Sequence, residues 1–451
     1  VKIREILPEN LDFLFKKFSE KSLYSDVYVE RKETFRVVLE PGRIEELHWG
    51  EDSGINFRKI CPDFETISRF TSVLDSDFLE EFIRGKESAG FVKSGKVLRD
   101  SLDLDIFKDR FEFLKELEEE IKKRFGGLRH YQIGLTEQKK EIFILNSEGG
   151  VIEEERFYFR IGAVVVVERG DRLERGYEVK GLCLPFEKAI KLKEIKEVPV
   201  RACRLAEIML EAKKAPAGVM PVVLAGEAGG TMIHEAVGHG LEADHAEEGL
   251  SVYSGKIGEK VASSLITVVD DATLSELYGS YKFDDEGTPA CRVVLIERGI
   301  LRNFLYDRKT ALKYDKQSNG HGRRQDFRNI PIPRMGNTYI EKGPHNAEEI
   351  LRSIDRGLLV KKMGGGEVNP LTGDFVFEVR EGYFIEKGEI VHPVKGATLV
   401  GNGPRVLEII DMVGDDLHFE AGICGKDGQS VPVSDGQPTL RIPEITVGGA
   451  I

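Results

Sequence analysis

Apolar residues in this chain recur mostly with a period of two, in runs broken by glycine-containing turn pairs, a pattern that commits much of it to antiparallel strands. Alternation is clear at 26–30 and 34–39, and again from 130 to 179, where Gly149-Gly150 and Gly170-Asp171 separate short strands of a meander. Helical spacing interrupts it. Leu11, Leu14, Phe15 and Phe18 predict a short helix, and Phe107, Phe111, Leu114, Leu117 and Ile121 predict a long one over 105–124, stopped by Gly126-Gly127.

Lys188, Lys191, Lys193, Glu194, Lys196 and Glu197 form a charged stretch that reads as a linker before a helix over 204–214. Beyond it the chain is rich in glycine and in short strands: 219–225, then 291–297 turning at Arg298-Gly299 into 300–306, then 375–379 followed by 383–391. Two helices interrupt these strands. One begins at Asn346 with Glu349 three residues on, and the other has Pro404 near its first turn. The expected fold class is α+β, with an N-terminal domain (1–188) of antiparallel sheet and helices. The C-terminal domain (189–451) is expected to be a β-rich sandwich or barrel, because short turn-linked strands do not suit a doubly wound sheet.

Composition narrows the function. With 41% hydrophobic and 32% charged residues among 451, the chain has a globular balance. Its longest apolar stretches, 163–167 and 219–225, fall short of the roughly 20 residues that span a bilayer. Lys2, Arg4, Glu5 and Glu9 leave no apolar signal core at the start, so the expected location is cytoplasmic, with no membrane partner. A net charge of −13 argues against a broad nucleic-acid footprint. Cys61, Cys183, Cys203, Cys291 and Cys424 are odd in number and lie far apart, which argues against a disulfide framework. No phosphate-binding glycine loop supports a nucleotide cofactor.

The chemistry concentrates at His234-Glu235-Ala236-Val237-Gly238-His239. An offset of five residues rotates two side chains by roughly 140° on a regular helix, too far apart for one metal, so the helix must widen or end here. Gly238 and Gly240 give the backbone the freedom to do so, and Thr231 stands as an N-cap. Two neutral imidazoles can bind Zn²⁺, a third ligand completes a tripod, and water takes the open position. Glu235 is then placed to act as base. Glu242, Asp244, His245 and Cys424 all offer a third donor, and spacing does not choose among them. Gly364-Gly365-Gly366 suit the close approach of a substrate backbone, and Arg323 suits a terminal carboxylate. Asp270-Asp271 and Asp284-Asp285-Glu286 lack calcium-loop spacing and read as turn or cap residues.

Four segments together, His-Glu-Ala-Val-Gly-His-Gly-Leu-Glu (234–242), Asp-Asp-Glu-Gly-Thr-Pro (284–289), Cys-Gly-Lys-Asp-Gly-Gln-Ser (424–430) and Gly-Gln-Pro-Thr-Leu (436–440), resemble the TldD branch of the TldD/PmbA metalloprotease family. The resemblance spans essentially everything from 219 to the end. It implies a zinc peptidase of small or unfolded peptides, with His234, His239 and Cys424 as metal ligands and Glu235 as catalytic base. It also implies a dimer, either of two copies or with a PmbA-type subunit that lacks the His-Glu motif. Two rivals stand beside it: a non-catalytic, partner-binding regulator of the gyrase-modulator type with a structural metal, and a metal-dependent hydrolase of another amide.

Overall fold

Six strands, β1 (Tyr24–Glu40), β2 (Arg43–Ile60), β3 (Thr66–Thr71), β4 (Leu128–Asn146), β5 (Val151–Arg169) and β6 (Arg172–Leu182), form an antiparallel sheet in the order β3-β2-β1-β4-β5-β6. The computed structural model describes residues 3–84, 104–369 and 371–449. The strands are longer than the short meander expected. The two alternating runs at 26–30 and 34–39 join into one strand of 17 residues. Arg31 sits at the join and satisfies its guanidinium across both neighbouring strands, on Glu51 at 2.8 Å and Glu141 at 3.0 Å, so the charge does not break the pairing.

Alternation gives this sheet two different faces. Odd-numbered residues such as Val27, Val29, Phe35, Val37, Leu39, Ile133 and Ile161 are buried under helices. These helices include Leu11–Phe18 and Leu104–Arg124, close to where helical spacing places them. Even-numbered residues face the C-terminal half, and many are charged: Asp26, Glu30, Arg58, Lys140, Glu154 and Arg156 are all buried. They survive burial by pairing. Arg58 bridges Asp26 and, at 2.7 Å, Glu286, while Arg156 holds Asp285 at 2.9 Å. The run 284–286 is thus the knot of an ion-pair network between the two halves. Asp284 also has a turn role, accepting from the amides of Glu286, Thr288 and Gly322.

The charged stretch after Leu182 is not an extended linker. It forms the short helices Phe186–Ala189 and Lys193–Lys196 and leads into the helix Val198–Glu211, earlier than the expected 204–214. Ala189, Ile195, Val198, Ala202 and Ala206 join the core of the first sheet, and the core of the C-terminal half begins at Ala215. The packing changes from the first core to the second between Leu210 and Ala215. The apolar residues spaced between the lysines carry the stretch down onto the sheet while the charges stay in water.

The C-terminal half is a barrel beside a second sheet. Strands Gly218–Leu224, Leu440–Gly448, Thr398–Asn402, Asp374–Glu386 and Arg356–Val368 pair in that order, and the last returns to the first in parallel, closing five strands. The expected pair 375–379 and 383–391 proves to be one long strand, Asp374–Glu386, followed by Glu389–Lys395 across a turn with positive φ at Lys387 and Gly388. The hairpin at Arg298-Gly299 is as expected, both residues having positive φ, although its second strand is just Ile300–Leu301. The second sheet places Val268–Asp271, Asn337–Ile340, Gln429–Gln437 and His418–Lys426 side by side. Asn346 caps the helix Ala347–Arg352 by accepting from the amide of Glu348. All five cysteines are free.

Removing one partner from the buried network strands its countercharges. Arg58→Met is expected to cost about 3–5 kcal/mol by leaving Glu286 buried without a cation and Asp26 with Arg324 alone, at 3.5 Å. Breaking the exposed pair of Arg36 with Glu46 by Arg36→Ala costs less than about 1 kcal/mol. Denaturant midpoints measure both, and equal losses would contradict the ranking.

Candidate metal centre

The chain leaves the barrel strand Gly218–Leu224, turns at Gly226–Ala228 and makes one helical turn over Thr231–Ile233. His234–Gly238 then widens into a π turn, in which the amide of His239 donates to the carbonyl of His234 five residues back. The wider turn resolves the five-residue offset. The two imidazole centroids stand 5.0 Å apart with their planes at 87°.

Two glycines make this turn fit, for a reason other than backbone freedom. Gly238 has φ −57° and ψ −52°, ordinary helical values. A Cβ there would lie 2.0 Å from Sδ of the fully buried Met335, so the position needs space. Gly230, not Thr231, occupies the N-cap position, without a side-chain hydrogen bond. A Cβ on Gly230 would lie 2.5 Å from the amide nitrogen of Gly436, so its absence lets the motif dock against the strand Gln429–Gln437.

That strand and His418–Lys426 form a hairpin closed at Asp427 and Gly428, both with positive φ. Cys424 lies within the strand, opposite Val431, and not in the glycine-rich turn itself. Its Sγ is 3.5 Å from Nε2 of His239, and the ligand atoms of His234, His239 and Cys424 all fall within 4.8 Å of one another. Donors placed ~2.0–2.3 Å from a tetrahedral zinc stand about 3.5 Å apart, so this trio fits that ion.

Each imidazole is aimed by a carboxylate. Nδ1 of His234 meets Oδ1 of Asp435 at 2.7 Å, and Nδ1 of His239 meets Oε2 of Glu242 at 2.9 Å, which leaves the Nε2 atoms for the centre. Asp435 pairs with Glu420, so it shares a sheet face with Cys424, and one hairpin delivers both groups. Burial raises the Cys424 thiol, but hydrogen bonds with His234 and His239 outweigh it and bring the group to about 6. Burial opposes charge on His239, yet Glu242 and Cys424 push it up to about 9. The pair is thus poised as thiolate and imidazolium, and a metal cation would displace the protons.

Glu242, Asp244 and His245 also bring three ligand atoms within 4.8 Å. A cation already fills the space between the two carboxylates: Nζ of Lys426 lies 3.0 Å from Glu242 and 2.7 Å from Asp244. His245 turns Nδ1 to the carbonyl of His239 at 3.1 Å. These residues buttress the second histidine. Glu235, half-buried on the π turn, makes no hydrogen bond or ion pair with any described residue.

Comparison with known proteins decides the family. Residues 217–449 match the PmbA/TldA metallopeptidase C-terminal domain, and residues 101–210 match the central domain of the same family. A metalloprotease TldD homolog of Haemophilus influenzae is 35% identical over 449 residues, covering 94% of this chain and 93% of its own length. This chain belongs to the TldD/PmbA metallopeptidase family. A zinc metalloprotease TldD homolog of Saccharolobus solfataricus is 35% identical over 239 residues, 52% of this chain and 53% of its own length. The fold is shared with a solved structure from Thermotoga maritima described as a candidate modulator of a DNA gyrase. That match has a TM-score of 0.78 at 22% identity, covering 97% of this chain and 99% of the other.

Among the remaining TldD/PmbA site expectations, Gly364, Gly365 and Gly366 lie in the barrel strand Arg356–Val368, which packs against the π turn. Arg323 is not brought to the metal trio. Its guanidinium is buried and donates to the carbonyls of Met335 and, at 2.8 Å, Pro432. Sequence reasoning missed Asp435, which lies 201 residues from His234. Its one signal was its place immediately before the segment 436–440. Lys426 was likewise passed over, although it stands inside a quoted segment. Removing the orienting carboxylate by Asp435→Ala is expected to weaken zinc affinity about 10–100-fold in competition with a chromophoric chelator. Unchanged affinity would show that His234 needs no such partner.

Proposed function

We propose that this chain is a zinc-dependent peptidase acting on small or unfolded peptides, with His234, His239 and Cys424 holding Zn²⁺ and Glu235 as general base. The observation that carries this reading is the donor count. Two imidazole nitrogens and a thiolate leave a tetrahedral ion one open position, whereas a structural zinc takes four protein ligands. Among the described residues no fourth donor joins the trio, which favours the peptidase over a regulator with a structural metal. The name of the Saccharolobus relative supports zinc as the ion. When bound, the ion supplies Lewis acidity at the open position.

Glu235 follows His234 directly, and its carboxylate is unengaged by described residues. Its role is to take a proton from the attacking water as oxygen adds to the scissile carbonyl, then to pass that proton to the leaving amine. The strand Arg356–Val368 supports a peptide substrate over another amide. Its pairing with Gly218–Leu224 covers residues 358–360, and beyond Lys361 that edge bonds to no described strand. An extended peptide adds there as a further strand, its backbone drawn close by Gly364, Gly365 and Gly366. Lys362 and Met363 share a small cavity with Thr231 at the start of the motif helix, so this edge leads toward the centre. Arg323 takes no part in it.

A second subunit, either another copy or a PmbA-type chain, completes the reading. Val219, Val400 and Val376 are exposed and lie on consecutively paired strands across the outside of the barrel, in register through Thr446. Such an apolar row fits a subunit contact.

Glu235→Gln is expected to lower peptide turnover at least about 100-fold while leaving zinc near one per chain. Assaying cleavage of an unstructured peptide alongside elemental analysis checks both. Full activity in the zinc-loaded variant would remove Glu235 from the mechanism.

A further inference from the structure

Behind the Cys424 hairpin lies a cavity of about 380 Å³ between the first sheet and the C-terminal half. Seven lysine and arginine side chains line it, against one carboxylate, that of Asp285. This is a strong local reversal in a chain of net charge −13. Its walls include Arg156, Arg323 and Arg324, all buried, and its margin includes the half-buried Lys32 and Arg160.

Local pairing accounts for four of these cations, Arg36 with Glu46, Lys140 with Glu30, Arg156 with Glu154 and Asp285, and Arg324 with Asp26, and leaves Lys32, Arg160 and Arg323 without a described carboxylate partner. Arg156 and Arg324 belong partly to the inter-domain network, through Asp285 and Asp26. Arg323 has no carboxylate of a described residue within ion-pair distance. It donates to two backbone carbonyls and lies 5.0 Å from the Tyr281 ring centroid. Lys32 has no described acidic partner, and Arg160 meets the hydroxyl of Tyr177 at 3.5 Å. Three cations without a described carboxylate partner around one cavity call for an acceptor rich in oxygen.

We propose that this cavity is a binding site for a small oxyanion carrying two or more negative charges, a phosphoryl or polycarboxylate group, distinct from the metal centre. The cavity is within the range of small-ligand sites, and guanidinium groups match the geometry of both kinds of anion. Its separation from the metal follows from the lining. Ile423 and its cross-strand partner Pro432 line the cavity, whereas Cys424, His234 and His239 do not. Gln325 and Ser430 add neutral polar groups to the lining, and the amide of Ser430 donates to the side chain of Gln325 at 2.8 Å. An anion held here ties the first sheet to the hairpin that carries Cys424 and Asp435.

Isothermal titration of the full zinc-loaded chain with inorganic phosphate, and separately with succinate, at low ionic strength tests the site. The expected result is one anion per chain, bound at low millimolar concentration or tighter, and at least tenfold weaker in the double variant Lys32→Gln, Arg160→Gln with an unchanged melting midpoint. Should the double variant fail to fold, Lys32→Glu is read in the same way. Cys424→Ser keeps the binding, because the anion does not sit on the metal. Preference for phosphate or for succinate identifies the phosphoryl or the carboxylate source. No binding of either probe, equal affinity in the rim variant, or loss of binding in Cys424→Ser would overturn the proposal.

Discussion

One widened helical turn carries the whole centre. Two imidazoles five residues apart converge because the amide of His239 reaches back to His234, and a turn of that width needs support from outside. Met335 fills the space beside Gly238, the strand Gln429–Gln437 abuts Gly230, and Asp435 and Glu242 fix the two rings. The same hairpin brings Cys424, whose carbonyl is held by the buried Arg334 at 2.6 Å. A regular helix at this point would separate the histidines and leave the thiol facing one of them alone.

The even-numbered face of the first sheet solves a second problem. It presents Asp26, Glu30, Arg58, Lys140 and Arg156 to a body that answers with Asp285, Glu286 and Arg324. Buried ion pairs of this kind add little net stability compared with apolar packing, but a shifted docking would strand several charges at once. The network thereby fixes how the sheet sits against the part of the chain that carries the candidate metal centre. No helix of the described residues is long and apolar enough to cross a membrane.

Local pattern made the elements legible, and long-range contact decided the rest. Leu11, Leu14, Phe15 and Phe18 mark their helix because a 3.6-residue period is a property of the segment itself. The stretch 188–197 reads as a linker because its lysines dominate the composition, while Ala189 and Ile195 carry the packing. At the site, the offset between His234 and His239 already required the helix to widen or end, and it widens. The spacing of Glu242, Asp244, His245 and Cys424 did not rank them as donors, because what separates them is Lys426 lying between two carboxylates and a hairpin arriving from elsewhere in the chain. Gly238 was read for its flexibility, whereas Met335, far away in sequence, supplies the reason for it.

The most direct test of the centre is the electronic spectrum of the chain with Co²⁺ in place of zinc. The account predicts a thiolate-to-cobalt charge-transfer band in the wild-type protein, with the strong visible absorption of a four-coordinate site, and loss of that band in Cys424→Ser. Stoichiometric cobalt without the band, or a band that persists in Cys424→Ser, would contradict the assignment of His234, His239 and Cys424 to one metal.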